Sequence, residues 1–188
     1  MRGQALGRFF SMTTTLAIDT STSRTSVGII KDGALIWVGF RDGATAHGPA
    51  LPALVQEAIT GHQVDEVVVG MGPGPFTGLR IGIAFARSFA LACNIPVRGI
   101  CSLDAIAAQV NEKDFIVTVD ARRKEVYWAR YRDGIRVGQP AVSFPSAVTG
   151  AVLYPGLYPD LLAMAVLSGN ITEPIYLRHP DAVATVDR

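Results

Sequence analysis

The sequence predicts an α/β protein with mixed sheets and two related lobes, the second of them reduced. Three observations carry that reading. A unit of strand, aspartate, polar turn and strand occurs twice, in residues 15–30 ("TLAIDTSTSRTSVGII") and 115–136 ("FIVTVDARRKEVYWARYRDGIR"). Asp19 and Asp120, Asp32 and Asp133, and Gly33 and Gly134 share a single offset of 101 residues, the mark of an internal duplication. Helical and strand periodicities then alternate after the first unit, as they do in α/β folds.

In chain order, residues 1–12 read as a disordered tail, residues 13–101 as the first lobe and residues 102–188 as the second. β-branched residues and alternation mark both strands of the first unit. "KDG" at Lys31–Gly33 signals a tight hairpin into a third strand, "ALIWVGF". Over 49–60, Leu51, Leu54, Val55 and Ala58 fall at i, i+3, i+4 and i+7, one helical face. Pro49 and Pro52 belong in or before the first turn of that helix, and Gly61 is its expected stop. "VDEVVVG" is a buried strand, "GMGPGPFTGLRIG" a corner, residues 77–93 a second helix and "PVRGICS" a short strand. Ser102 is the expected cap of a helix "LDAIAAQVN". Residues 138–160, rich in Pro and Gly, hold no long helix. "LLAMAVLSG" reads as one short helix and "EPIYLRH" as a terminal strand or extended tail.

Composition narrows the function. Apolar residues make up 49% and charged residues 18% of 188, so a sizeable core is expected rather than disorder. The net charge is +1, and the longest basic run is Arg122-Arg123-Lys124, too little for a stand-alone nucleic-acid binder. That run reads as a solvated turn, with RNA contact as the alternative. Cys93 and Cys101 fit no metal or redox spacing and read as two buried thiols in a reducing cytoplasm. Arg87 interrupts the longest apolar run, so no membrane span is expected, and no signal core follows the N-terminus.

The glycine-rich corner invites a phosphate reading. A Walker loop needs Lys before Ser/Thr, which is missing, and in a dinucleotide fingerprint Thr77 stands where the third glycine belongs. Pro73 and Pro75 each remove an amide donor. A rigid strand-to-helix corner with Thr77 as cap is the plainer reading. In the helix that follows, small residues at 78, 82, 86 and 90 step by four and permit close packing on a sheet. Arg80, Ala84, Arg87 and Leu91 step by four, three and four, a coiled-coil seam, with Ile83 beside them. A helix apolar almost all round asks for cover on more than one side, either by a second subunit or by the chain's own first helix. His47, His62 and His179 stand alone, with neither a metal set nor a nucleophile–base pair.

Two strand–Asp–turn–strand units resemble the phosphate loops of the actin-like, sugar-kinase and heat-shock-chaperone ATPase superfamily, of ribonuclease H-like fold. Asp19, Thr20, Ser21 and Thr22 match the composition of a phosphate-type turn, and they could instead only close a hairpin. "LAIDTSTSRTSVGI", "HGPALPALV", "VVVGMGPGPFTGLRIGIAFARSFALACNIPVRGICSLDAIA", "VTVDARRKEVYWARY" and "PIYLRHPDAV" together resemble the bacterial TsaB (YeaZ) family. Pro75 stands where that family usually has Ser. The resemblance implies a non-catalytic relative of TsaD, the enzyme that transfers threonylcarbamoyl to the adenosine next to the anticodon in ANN-reading tRNAs. It implies pairing with TsaD, joined by the ATPase TsaE, a homodimer when alone, contact with tRNA only through the complex, and no membrane. It implies no cofactor of the chain's own, with ATP and metal on TsaD and TsaE. Ser102 and Ile106 would replace the two histidines of TsaD's metal site. The pairing surface would be His47, Leu51, Leu54, Val55 and Ala58 of the first helix with Arg80, Ile83, Ala84, Arg87 and Leu91 of the second. A stand-alone ATP-dependent small-molecule kinase and a glycoprotease-like peptidase are the alternatives.

Overall fold

A computed structural model describes residues 13–43 and 45–178, so the expected tail at 1–12 lies outside the described residues. The chain runs β1 (Thr14–Asp19), β2 (Arg24–Lys31), β3 (Ala34–Asp42), α1 (His47–Ala58), β4 (Glu66–Gly70), α2 (Phe76–Cys93), β5 (Val97–Ile100) and α3 (Ser102–Ala107). It continues as β6 (Asp114–Asp120), β7 (Val126–Arg132), β8 (Ile135–Ser143), a 3-10 turn (Pro145–Ala147), β9 (Val152–Pro155) and α4 (Leu161–Val166).

The duplication is visible in the topology. The first sheet has the order β3-β2-β1-β4-β5 and the second β8-β7-β6-β9. In each, two antiparallel pairings are followed by one parallel strand beside the first. The turns match as well: Asp32 and Asp133 have φ of 52° and 46°, and Gly33 and Gly134 have 78° and 76°. An aspartate tolerates this left-handed conformation better than most residues, and glycine adopts it without strain. The sequence pattern of 138–160 gave no sign of β9, whose four residues lie between turns. Its place beside β6 is that of β4 beside β1.

Helices α1 and α2 cover one face of the first sheet around Leu16, Ile18, Leu54, Val69 and Leu79. On the other face α4 packs Leu161 and Met164 against Ala17, Ile30 and Val68. Helix α3 closes the inner face of the second sheet around Phe115, Val117 and Tyr131. Asp104 holds it there, accepting from the Tyr131 hydroxyl at 2.8 Å and from the Arg136 guanidinium at 2.9 Å. The described residues from 102 to 178 therefore do not form one body. α4 lies on the first sheet, and Ile171 and Ile175 donate their backbone N–H groups to Gly99 of the edge strand β5 and to Met71 just past β4. The two lobes are also clasped at their rim, where the Arg24 guanidinium lies 4.2 Å from the Phe40 ring centroid and 3.9 Å from that of Tyr158.

Several local expectations change. Pro52 sits inside α1, one turn later than expected; the carbonyl it leaves without an amide belongs to Gly48, which is exposed to water. α2 has 18 residues and reaches the length and composition of a candidate membrane span despite Arg87, but its buried side is packed on β4 and β1. The cysteines differ from each other: Cys101 is buried and Cys93 exposed. Burial pushes the Cys101 thiol up to about 11. At pH 8 one thiol per chain, Cys93, is expected to react with a thiol reagent in the native protein, and the second only after denaturation. Two fast equivalents would contradict the core assignment.

Candidate partner interface

The face of α2 that meets the sheet is set by its small residues. Gly78, Gly82, Ala86 and Ala90 are buried, together with Leu79 and Ile83. A Cβ on Gly78 would lie 2.7 Å from the Thr20 carbonyl oxygen, and one on Gly82 would lie 2.2 Å from Thr20 Oγ1. Thr20 in turn donates its hydroxyl to Gly78 O at 2.8 Å. The glycine corner packs just as closely, since a Cβ on Gly74 would sit 2.3 Å from Ser21 O. The corner and the first turn of α2 thus rest directly on the polar turn Thr20–Thr22. Thr77 is exposed and caps nothing; Pro75 stands at the N-cap.

This packing encloses the polar turn. Asp19, Thr20, Ser21 and Thr22 are all buried. Asp19 accepts from the Ser21 N–H at 2.9 Å, the Ser21 hydroxyl at 2.8 Å and the Ser102 hydroxyl at 2.7 Å. Ser102 Oγ also receives the Gly72 N–H at 3.3 Å, so Ser102 ties α3 to the corner and is not the cap of its own helix. The Asp19 carboxylate and the hydroxyls of Ser21 and Ser102 thus join β1, its turn and α3. Burial raises the Asp19 carboxyl above its ordinary pKa, with the three hydrogen bonds acting against the shift.

The opposite face of α2 is open. Arg80, Ala84, Arg87 and Leu91 are exposed, Leu91 at 83%, so the seam read from their spacing lies on the surface. Ile83 is only 5% exposed and forms the floor beside it. The C-terminal strap 171–176 flanks the stripe. Thr172 O accepts from the Arg87 guanidinium, and the Tyr176 ring lies 4.9 Å from that of Phe76, over which Arg80 sits at 5.1 Å. Between α2 and the strap runs a groove of about 530 Å³ lined by Phe76, Arg80, Ile83, Ala84, Arg87 and Tyr176.

The residues expected on α1 lie elsewhere. His47, Leu51, Leu54, Val55 and Ala58 are buried in the chain's own core against the first sheet, because the apolar stripe of an amphipathic helix meets the nearest apolar surface. His47 Nδ1 is 2.8 Å from Thr25 Oγ1. Burial, and then the nearby Arg122 charge, hold its imidazole below its ordinary pKa.

A family model described as TsaD, tRNA N6-adenosine threonylcarbamoyltransferase, matches residues 44–159. The Escherichia coli tRNA threonylcarbamoyladenosine biosynthesis protein TsaB is 34% identical over 126 residues, 62% of this chain and 54% of that protein. The structure of YeaZ from Pseudomonas aeruginosa superposes with a TM-score of 0.69 at 26% identity, over 82% of this chain and 89% of that one. The chain belongs to the TsaB (YeaZ) family. An uncharacterized Mycobacterium tuberculosis protein is 42% identical to this TsaB-family chain over 91% of this chain and 94% of its own length. A second P. aeruginosa structure, described as similar to peptidase YEAZ, gives a TM-score of 0.75 at 25% identity, over 89% of this chain and all of that one. The match to the E. coli TsaB spans only about half of that protein.

Two further features of this TsaB-family chain bear on chemistry. Ser102 and Ile106 are both buried, and among the described residues no group of three or more His, Cys, Asp or Glu side chains could hold a metal ion. An interlobe cleft of about 470 Å³ runs between Ser23 and Pro75 on one side and Asp120, Arg122, Lys124 and Tyr158 on the other. Sequence reasoning left this cleft unread, because its walls come from segments a hundred residues apart.

Proposed function

We propose that this chain is a non-catalytic subunit that docks on TsaD through the outward face of α2 and supports threonylcarbamoyl transfer to the adenosine next to the anticodon in ANN-reading tRNAs. TsaE joins the pair, ATP and metal belong to TsaD and TsaE, and tRNA is met only through the complex, in the cytoplasm. In the absence of TsaD the same face pairs with a second copy. The observation that carries this reading is the stripe Arg80, Ala84, Arg87 and Leu91, exposed on an otherwise apolar helix whose inner side is locked to Thr20. Family membership supports it, because the matching family model is that of TsaD itself. A pre-ordered helix lowers the ordering cost of association, and arginine is favoured where interfaces concentrate their energy.

The kinase and peptidase alternatives find little in the geometry. Asp19 is enclosed by Ser21 and Ser102, and Asp120 accepts the Arg122 N–H at 2.9 Å. His47 and Thr25 face each other inside the core. The test is calorimetric. Arg87→Glu is expected to leave the monomer folded and to weaken binding to TsaD about tenfold, the scale of a reversed charge in a docking seam. It should lower threonylcarbamoylation in a reconstituted assay in step. Equal affinity for wild type and variant would remove α2 as the docking face.

A further inference from the structure

We propose that the interlobe cleft binds a small phosphate monoester with an apolar body, held by the side chains of Arg122 and Lys124 without a metal ion. The cleft lies within a single chain, so this claim stands apart from the docking reading above. Its volume of about 470 Å³ falls in the range of small-molecule sites. Val119, Val126, Pro155 and Leu157 give it apolar walls, Ser23 lies on the first-lobe side, and Arg122 and Lys124 lie on the second. Both acids of the lining are engaged: Asp120 accepts the Arg122 N–H at 2.9 Å, and Glu125 pairs with Arg178. Two cations with a hydroxyl opposite them suit a tetrahedral oxyanion, and the walls suit the group that carries it.

The backbone supports the same assignment. Arg122, Arg123 and Lys124 have φ of 59°, 54° and 63°, three successive residues in the left-handed region. That conformation is disfavoured for residues with a Cβ and persists only where the surroundings impose it, chiefly at functional sites. Here the Ala121 N–H donates to Glu125 O at 2.9 Å, the Glu125 N–H to Arg122 O at 3.0 Å and the Arg178 guanidinium to Ala121 O at 2.9 Å. At the duplication offset of 101, the first copy has Ser21, Thr22 and Ser23, which do not adopt this conformation. Glycines would serve a turn that only joined two strands. This turn instead carries three long cations, all exposed, and two of them line the cleft.

Phenyl phosphate is the probe, titrated into the full chain by calorimetry in magnesium-free buffer, with inorganic phosphate and benzoate alongside. It is expected to bind about tenfold more tightly than inorganic phosphate, which lacks the apolar body. It should also bind about tenfold more tightly than benzoate, which offers fewer acceptor oxygens to the cations. Glycine keeps the left-handed backbone without strain, so Arg122→Gly and Lys124→Gly are each expected to melt close to wild type and to lose about tenfold in affinity. Arg123→Gly, between them but outside the lining, should bind as wild type does. Absence of phenyl phosphate binding would overturn the assignment, and so would binding that requires magnesium. An equal loss in all three variants would reduce the site to a diffuse basic surface. Melting of the Arg122 and Lys124 variants well below wild type would assign these cations to the fold instead. If phenyl phosphate fails to bind and a short single-stranded RNA succeeds, the turn is an RNA contact and the cleft is no small-molecule site.

Discussion

Gly82→Leu is expected to lower the unfolding free energy by about 3 kcal/mol, at the top of the range for overpacking a core. For a domain of this size that corresponds to a melting point roughly 6–12 °C lower. The first side-chain carbon alone would fall 2.2 Å from Thr20 Oγ1 and 3.3 Å from Thr20 Cβ. Thr20 cannot turn away freely, because its hydroxyl is bound to Gly78 O and the residue is buried. α2 must therefore lift from the turn, which disturbs the core around Leu79 and Ile83 and tilts the docking stripe. Gly82→Ala is expected to do the same to a smaller degree. Combining it with Thr20→Ala, which removes the obstructing oxygen, should recover part of the loss. A Gly82→Leu protein that melts within about 1 °C of wild type would show that the helix is not held against the turn.

Asp19→Ala comes second, with an expected cost of about 3 kcal/mol, because three donors lose their acceptor and a small cavity opens. The donors are the Ser21 N–H and hydroxyl and the Ser102 hydroxyl, all buried. Asp19→Asn keeps an acceptor and can donate to Ser102 Oγ, so it is expected to retain most of the stability. Its effect should depend on pH. Burial raises the folded-state pKa of Asp19 above the value near 3.8 of an unhindered aspartate. The folded protein then binds the proton more tightly than the unfolded chain. The stability this group contributes is fully present below the unfolded pKa and is lost as pH rises through the folded one. Asparagine has no such loss, so the difference in unfolding free energy between Asp19→Asn and wild type should move in favour of the variant from pH 4 to pH 7. Denaturant melts at both pH values measure it. A difference that stays constant, or moves the other way, would show that the three hydrogen bonds outweigh burial.

Part of this site was legible in the residues and part was not. The spacing of 78, 82, 86 and 90 identified the packed side of α2, and the seam of 80, 84, 87 and 91 its open side, since a helix repeats every 3.6 residues regardless of its surroundings. The α1 stripe could not be resolved the same way. Periodicity shows that Leu51, Leu54, Val55 and Ala58 share a face, but the same pattern serves a core or an interface. The role of Ser102 was equally hidden. A serine at a helix start reads as a cap, and here its hydroxyl reaches a carboxylate 83 positions away.

The sequence by itself determined the α/β class, the duplication and the two-sided character of α2. These rest on local period and on turn residues such as Asp32-Gly33 and Asp133-Gly134, whose conformational preferences act over a few bonds. Only the tertiary structure decided that Asp19 to Thr22 are enclosed, that α4 and the strap return to the first sheet, and that the face of α1 is covered while that of α2 stays open. Those outcomes depend on which distant surfaces meet and on how much room is left between them, and a hydroxyl or a methyl group looks the same in a sequence whether its neighbour lies two ångströms away or ten.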